Sequence, residues 1–342
     1  MIKNLIFFFN FFLIVFTFGI IKLTNKRKWL AVVNPTSAGA RTNIRWNISK
    51  QYLDKLDIKY DEAQSEYHTH AIHIVEKELL NYDGIIAVGG DGTVNEVING
   101  ILHTSKDKLL AIIPTGTGND LANTFQLHLD IRKACKTLAI GKPRQIDVGL
   151  LVSKDFNNKP VNRYFGGAAS FGFDAKINLD TNNSTKRLPG TWNYIRSLLK
   201  NLITLRSDKY IISYNNLVDN KLELVEKDLV ICVVGNGKFY GSGIMVCPGA
   251  SVTDSKFHIT VVSSIGRIEI MKTFPKMYTG DHIKHPAVSV IETNEIEIKN
   301  TTKSLYQVDG EVLGYTPVKI KTIPKILNIM SPKKLPDFQI KR

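Results

Sequence analysis

Apolar runs of five or six residues recur through the first half of the chain, each closed by a cluster of Gly, Pro, Asn, Asp or Thr. Trp29-Leu-Ala-Val-Val33 runs into Asn34-Pro-Thr-Ser-Ala-Gly39, and Gly84-Ile-Ile-Ala-Val88 into Gly89-Gly-Asp-Gly-Thr93. Leu109 to Ile113 runs into Pro114-Thr-Gly-Thr-Gly-Asn-Asp120. Short apolar runs ended by turn formers read as buried strands. Helical spacing lies between them: about Asn43 to Leu56 through Ile44, Ile48, Leu53 and Leu56, then Thr69 to Leu80 through Ile72, Val75 and Leu79. A third helix follows Thr93 through Val94, Val97, Ile98 and Ile101, and Ile58 to Tyr60 reads as a short strand. This alternation predicts a three-layer α/β domain with a mostly parallel sheet over residues 26–145. In such sheets ligands collect at the carboxyl ends of the strands, where all three loops fall.

From about Ile146 the texture changes. β-branched and aromatic runs dominate: Tyr210 to Tyr214, Leu229 to Val234, Phe257 to Val262, Val288 to Ile291, Glu295 to Ile298 and Val318 to Ile320. They predict a C-terminal antiparallel β-sandwich over residues 146–342, whose last strands can pack back on the first domain. One helical interruption is expected from Trp192 to Leu205. Its stripe of Ile195, Leu198, Leu199 and Leu202 is either a core contact or a lipid-facing gate.

Residues 1–25 form a separate segment, apolar from Leu5 to Leu23. As a helix its nineteen residues would span roughly 28 Å, near the hydrocarbon thickness of a bilayer. Lys22, Lys26, Arg27 and Lys28 follow it and only Lys3 precedes it, so the positive-inside rule puts the remainder at the cytoplasmic face of the membrane. A single-pass anchor, a dispensable extension and a cleaved signal peptide are the three readings, the last lacking an A-x-A-like site.

The net charge of +14 favours anionic partners such as nucleotides or an anionic membrane surface. No basic and aromatic module accompanies it, so nucleic acid is not expected as a partner. Cys135, Cys232 and Cys247 offer neither an even count nor a C-x-x-C spacing, which argues against a disulfide framework or a cysteine zinc site. His68, His70 and His73 do not share one helix face, and no Cys or acidic partner completes a familiar metal pattern, so they read as solvated or nucleotide-adjacent. Arg41 and Arg45 could reach phosphates or solvate a helix face.

The chemistry lies in the loops. Glycines at 89, 90 and 92 between a strand and a helix let backbone N–H groups approach phosphate oxygens, and the helix N-terminus adds partial positive charge. The Asp91 carboxylate would repel bare phosphate. It makes sense on a metal, a metal-bound water or a substrate hydroxyl. Neither G-x-G-x-x-G nor G-x-x-x-x-G-K-[ST] occurs, which sets aside the Rossmann and Walker loops.

An ordered series accompanies that loop: Val33-Asn-Pro-Thr-Ser-Ala-Gly39, Gly89-Gly-Asp-Gly-Thr-Val-Asn-Glu96, Pro114-Thr-Gly-Thr-Gly-Asn-Asp-Leu-Ala122 and Ile146-Asp147. Gly166-Gly-Ala-Ala-Ser-Phe-Gly-Phe-Asp174, Gly235-Asn-Gly237 and Asp309-Gly-Glu311 continue it. The series resembles the catalytic domain of diacylglycerol kinases, sphingosine kinases and bacterial lipid kinases, from Trp29 to the C-terminus. The resemblance implies transfer of the γ-phosphate of ATP to a lipid hydroxyl, with Mg²⁺ as cofactor, a role in phospholipid biosynthesis, and a homodimer as a further option. It implies nucleotide contacts from Asn34, Pro35, Thr36, Ser37, Ala38, Ser65, Gly89, Gly90, Asp91, Gly92, Thr93, Val94, Asn95 and Thr117. Asp91, Asp120 and Asp147 match acidic positions around ATP, metal and substrate, and Glu311 matches the proton acceptor. The family's acidic metal loop is degraded here: Thr253, Lys256 and His258 stand on its positions, and Thr253 and His258 replace frequent aspartates. An NAD kinase-like enzyme and an inactive nucleotide-binding regulator are the alternatives. Asn95-Glu96 and the GTGND loop favour the lipid branch, and the retained acids favour turnover.

Overall fold

The computed structural model describes residues 27–340 apart from 38, 40, 183–190 and 203–204. The apolar segment 1–25 lies outside the described residues. Among those described, no helix is long and apolar enough to cross a membrane.

Strands β1 (Trp29–Val33), β2 (Tyr60–Gln64), β3 (Gly84–Gly89) and β4 (Leu109–Pro114) lie in the order β2-β1-β3-β4, all parallel. Helices α1 (Arg41–Lys55), α2 (His70–Glu78), α3 (Asp91–Thr104), α4 (Asp120–Thr124) and α5 (Ile131–Ile140) follow or link them. Alternate strand residues divide between two cores. Leu30, Val32, Ile85, Ala87, Leu110 and Ile112 pack on Val75 of α2 and on Val97, Ile98 and Ile101 of α3. Ala31, Val33, Ile86, Val88, Ala111 and Ile113 pack on Trp46 and Leu53 of α1 and Leu138 of α5. Each Leu, Ile and Val among them contributes about 1.5–3 kcal/mol when fully buried, and covering both faces makes the parallel arrangement stable.

Two expectations change here. The α1 helix forms, but its buried face carries Thr42, Trp46, Ser49 and Leu53. Ile44 and Ile48 are 66% and 41% exposed, so the apolar spacing identified the helix and not its inner face. The short strand expected at Ile58 to Tyr60 runs instead from Tyr60 to Gln64 as an edge strand, its exposed Asp61, Glu62 and Gln64 hiding it in the hydrophobic pattern.

The second half contains β5 (Lys142–Lys154), β6 (Pro160–Phe165), β7 (Ala168–Gly172), β8 (Asp208–Asn215), β9 (Leu222–Gly235), β10 (Phe239–Tyr240) and β11 (Ile244–Met245). It continues with β12 (Phe257–Ser263), β13 (Val288–Thr293), β14 (Glu295–Asn300), β15 (Leu305–Val308), β16 (Glu311–Tyr315) and β17 (Val318–Ser331). Antiparallel pairing encloses a core that includes Phe165, Phe171, Tyr210, Phe257, Tyr306 and Ile298. Three helices interrupt it among the described residues, not one: α6 (Phe173–Asn182), α7 (Thr191–Leu202) and α8 (Arg267–Thr273). Of the α7 stripe, Leu202 is buried and Leu199 half-exposed, while the side chains of residues 195 and 198 lie outside the description.

The two halves share one sheet. β17 pairs antiparallel with β14 from Val318 to Lys321 and with β5 from Lys319 to Ser331, then parallel with β4 at Asn328 and Ile329. All three cysteines are free and buried.

Candidate active site

A cleft of roughly 740 Å³ opens above the carboxyl ends of β1 and β3, against the hairpin of β15 and β16. One wall is backbone. Asn34 N–H donates to the Val88 carbonyl at 3.1 Å, and the amides of Thr115 and Gly116 both donate to the Gly89 carbonyl, at 3.0 and 3.2 Å. A Cβ on Gly116 would lie 2.3 Å from the Gly90 Cα, so the two loops touch only because neither carries a side chain there. Arg45 donates to the carbonyls of Thr115 and Gly116 at 2.9 and 3.1 Å. It thus braces a loop, whereas Arg41 is exposed. The Asn34 Oδ1 accepts from the Thr36 amide at 3.1 Å and the Thr36 hydroxyl at 2.9 Å, an Asx turn that fixes the first loop.

Of the expected nucleotide contacts, Asn34, Thr36, Ser65, Gly92, Thr93 and Asn95 line this cleft, together with Glu311. Pro35 and Ser37 form the turn behind Asn34, and Gly89 and Gly90 close the strand under α3. Val94 points into the core, Thr117 is exposed at its loop tip, and Ala38 lies outside the described residues. Asp91 Oδ1 accepts from the Leu121 amide at 2.8 Å, and Asp120 Oδ2 from the Ser242 amide at 2.6 Å. A Cβ built on Gly118 would meet Asp91 Oδ2 at 2.8 Å and Asp120 Oδ2 at 3.6 Å, so both carboxylates face one point beside the cleft. Such paired hard oxygens fit a Mg²⁺ ion.

Asp147 is not brought to that point. It is 1% exposed, and its two oxygens accept from the amides of Ser255 at 2.7 Å and Lys325 at 2.8 Å. Its carboxylate ties the loop before β12 to the bulge in β17. The degraded metal loop lies beside it. There Lys256 pairs with Glu292 at 2.6 Å, and the His258 ring is buried, its pKa lowered by that burial. Asp254 is the only carboxylate from 253 to 258, and it accepts from the Lys256 amide. That donor set does not fit a cation that takes six oxygens.

The other wall of the cleft consists of side chains. Val308 and Glu311 pair across Asp309 and Gly310, which both have positive φ, at 46° and 89°. This is an Asp-Gly turn of the type that matches strand twist, and it sets Glu311 at a rigid strand start. Glu311 Oε2 accepts from Arg163 at 2.7 Å, and Oε1 faces His68 Nε2 at 3.2 Å. Asp309 Oδ1 accepts from the amides of Gly167 and Ala168 at 3.1 and 2.9 Å. Its Oδ2 accepts from the Gly166 amide at 3.2 Å and Asn95 Nδ2 at 2.7 Å. Burial pushes the Asp309 carboxyl up to about 6, against the pull of these donors. Asp309 thereby ties α3 of one half to the loop after β6 in the other.

The sequence reading missed Arg163 and the tie made by Asp309. The Asp-Gly pair was a legible hairpin signal, but Arg163 has none, because its partner is 148 positions away. Of the three histidines, His68 reaches Glu311, and His70 stacks on Tyr67 at 4.3 Å. Among the described residues no group of three or more His, Cys, Asp and Glu side chains could hold a metal ion.

Residues 28–151 match the family model described as diacylglycerol kinase catalytic domain, and 167–331 the model described as YegS C-terminal NAD kinase beta sandwich-like domain. The chain is 28% identical over 282 residues to a Mycobacterium tuberculosis diacylglycerol kinase, covering 82% of this chain and 86% of that one. It is 26% identical over 312 residues to the Bacillus subtilis diacylglycerol kinase, covering 88% and 95%. A solved Bacillus anthracis diacylglycerol kinase superposes with a TM-score of 0.67 at 21% identity, covering 92% of this chain and all of that one. The yeast NADH kinase complexed with NADH shares the fold at a TM-score of 0.50 and 11% identity, over 90% of this chain and 83% of that one.

Proposed function

Since the chain belongs to the diacylglycerol kinase catalytic-domain family, we propose that it transfers the γ-phosphoryl group of ATP to the hydroxyl of a lipid. The observation that carries this reading is Glu311. It is a carboxylate fixed by Arg163 and His68 in the same cleft as the glycine loops.

Helix α3 starts at Asp91, so the amides of its first turn, Gly92 and Thr93 among them, have no carbonyl within the helix and suit the phosphates. Asp91 and Asp120 would hold the Mg²⁺ that accompanies ATP, which offsets phosphate charge when bound. As the lipid oxygen attacks the γ-phosphorus, its proton passes to Glu311, and the bond to the β,γ-bridging oxygen breaks to release ADP. Arg163 keeps the Glu311 carboxylate aimed at the acceptor.

A place for the apolar part supports a lipid acceptor. On α6, Leu179 faces the cleft, while Phe173 and Ile177 line an apolar crevice closed by Ile231, Val246, Phe274 and Met277. At about 70 Å³ the crevice admits only part of an acyl chain unless α6 and α8 part. The enzyme then works at the cytoplasmic face of a membrane, with or without segment 1–25 as its anchor.

The test is to incubate purified protein with ATP, Mg²⁺ and a panel of diacylglycerol, sphingoid base, ceramide, monoacylglycerol, phosphatidylglycerol and NAD, and to identify products by mass spectrometry. A phosphorylated lipid is expected. NADP as the product would replace the reading with an NAD kinase, and ATP binding without any product would replace it with a regulator.

A further inference from the structure

A second polar pocket, of roughly 210 Å³, lies apart from the cleft and shares no lining residue with it. Its walls include Thr124, Arg144, Lys238, Ser251, Thr253 and Phe338, and no carboxylate. Arg144 donates to the Phe125 carbonyl and Lys238 to the Pro248 carbonyl. Neither has a carboxylate ion-pair partner among the described residues, and Asp254 acts on Lys238 through its charge without pairing with it. Burial lowers the pKa of both cations, and on Lys238 it outweighs the opposing pull of Asp254.

The polar atoms around them point the same way. Arg144 Nε is buried without a partner. So is the hydroxyl of Thr124, a residue only 4% exposed, whose Oγ1 would lie 2.9 Å from a Cβ on Gly237 in the pocket wall. A planar guanidinium, an ammonium and hydroxyl donors around one pocket suit a small oxyanion, which accepts several charge-assisted hydrogen bonds at once. Thr253 is the position where related sequences often have aspartate for a metal. With a hydroxyl there, and Arg144 and Lys238 opposite, the local charge preference is inverted.

We propose that this pocket binds a small oxyanion of the phosphate class, supplied either as free phosphate or as the head group of an anionic lipid. The segment after β17 closes the site. Phe338 packs on Phe239 with ring centroids 5.6 Å apart and lies 5.4 Å from Lys238 Nζ. Asn123 and Gln339 exchange two hydrogen bonds, of 2.9 and 2.8 Å, that hold the segment on α4.

The experiment uses the full chain in chelator without nucleotide. Inorganic phosphate at about 10 mM is expected to raise Tm by several degrees over chloride at equal ionic strength, by mass action on the native state. Lys238→Gln and Thr253→Asp are expected to remove most of that rise, the second by placing a carboxylate among the cations. Both variants are expected to keep the Tm rise given by a non-hydrolysable ATP analogue, which reports the separate cleft and shows that they fold. Flotation with phosphatidylglycerol vesicles, against phosphatidylcholine, separates the sources: binding lost in Lys238→Gln assigns a lipid head group, and unchanged binding assigns free phosphate. A phosphate effect that is absent in the wild type, or equal in the wild type and both variants, overturns the proposal.

Discussion

The two walls of the cleft are built on different principles. The wall from the parallel sheet is backbone: three loops stacked through Gly89, Gly90 and Gly116, where side chains matter mainly by being absent. The wall from the β-rich half is a set of charged side chains, Glu311, Arg163, His68 and Asp309, mounted on one tight hairpin. The first wall suits a ligand whose phosphates are the same in every turnover. The second suits the step in which a proton moves. Changes that add atoms should therefore damage the first wall, and changes that alter charge should damage the second.

The largest effect is expected at the base. Glu311→Gln keeps the shape and removes the proposed proton acceptor, so kcat should fall at least about a hundredfold. The melting temperature should stay within a few degrees. A variant turning over at the wild-type rate would remove the second wall from the chemistry.

Next comes the backbone wall. Gly116→Ala sets a Cβ 2.3 Å from the Gly90 Cα, and since both partners are backbone the loops must separate. We expect kcat/KM for ATP to drop about tenfold or more and stability to drop by about 1–3 kcal/mol. Urea unfolding and ATP kinetics check both. Unchanged ATP kinetics would mean that the loop contact does not shape the nucleotide site.

Arg163 sharpens the contrast, because it acts through Glu311. Arg163→Met should lower kcat about tenfold with little change in KM for ATP, and Arg163→Lys should recover part of the loss. A structural role alone would instead lower stability in both variants and leave kcat per folded molecule unchanged.

The smallest effect concerns pH. The Asp309 carboxyl sits at about 6 in the fold against an ordinary 3.8, so the folded state holds an extra proton between those values. The stability this gives is complete below about 3.8 and is lost as pH rises through about 6. Asp309→Asn removes the titration. Melts from pH 4 to 6.5 should show the wild type losing stability relative to the variant, by a few kcal/mol at most. Parallel curves would mean that the four donors hold Asp309 ionised throughout.

Much of the first wall was legible because turn chemistry punctuates it: Asn34-Pro, Gly89-Gly and Thr115-Gly stop apolar strands at the places where ligands collect. The buried face of α1 was not. Thr42 and Ser49 can be buried because one hydroxyl meets the Thr115 hydroxyl at 3.0 Å and the other donates to the Arg45 carbonyl at 2.9 Å. Hydropathy alone prefers Ile44 and Ile48. Helix α6 was hidden because Phe173, Ala175 and Ile177 leave it weakly amphipathic. Asp147 is the opposite case. An acid in a motif reads as chemistry, yet here two backbone amides occupy it. Arg163 depended on a partner that no local pattern can supply.

β17 has a consequence for how the chain reaches this structure. It meets β4 at Asn328↔Leu109, so the four-stranded parallel sheet of the first half gains its fifth strand only after more than two hundred further residues have been made. Loop closure of that length is slow, and until it happens β4 has an open edge at Leu109 and Leu110. During synthesis the nucleotide loops would thus sit on an unfinished sheet that other chains could extend. The half that carries the glycine loops shares its sheet with the last long strand of the chain, and its edge is covered only when that strand is inserted.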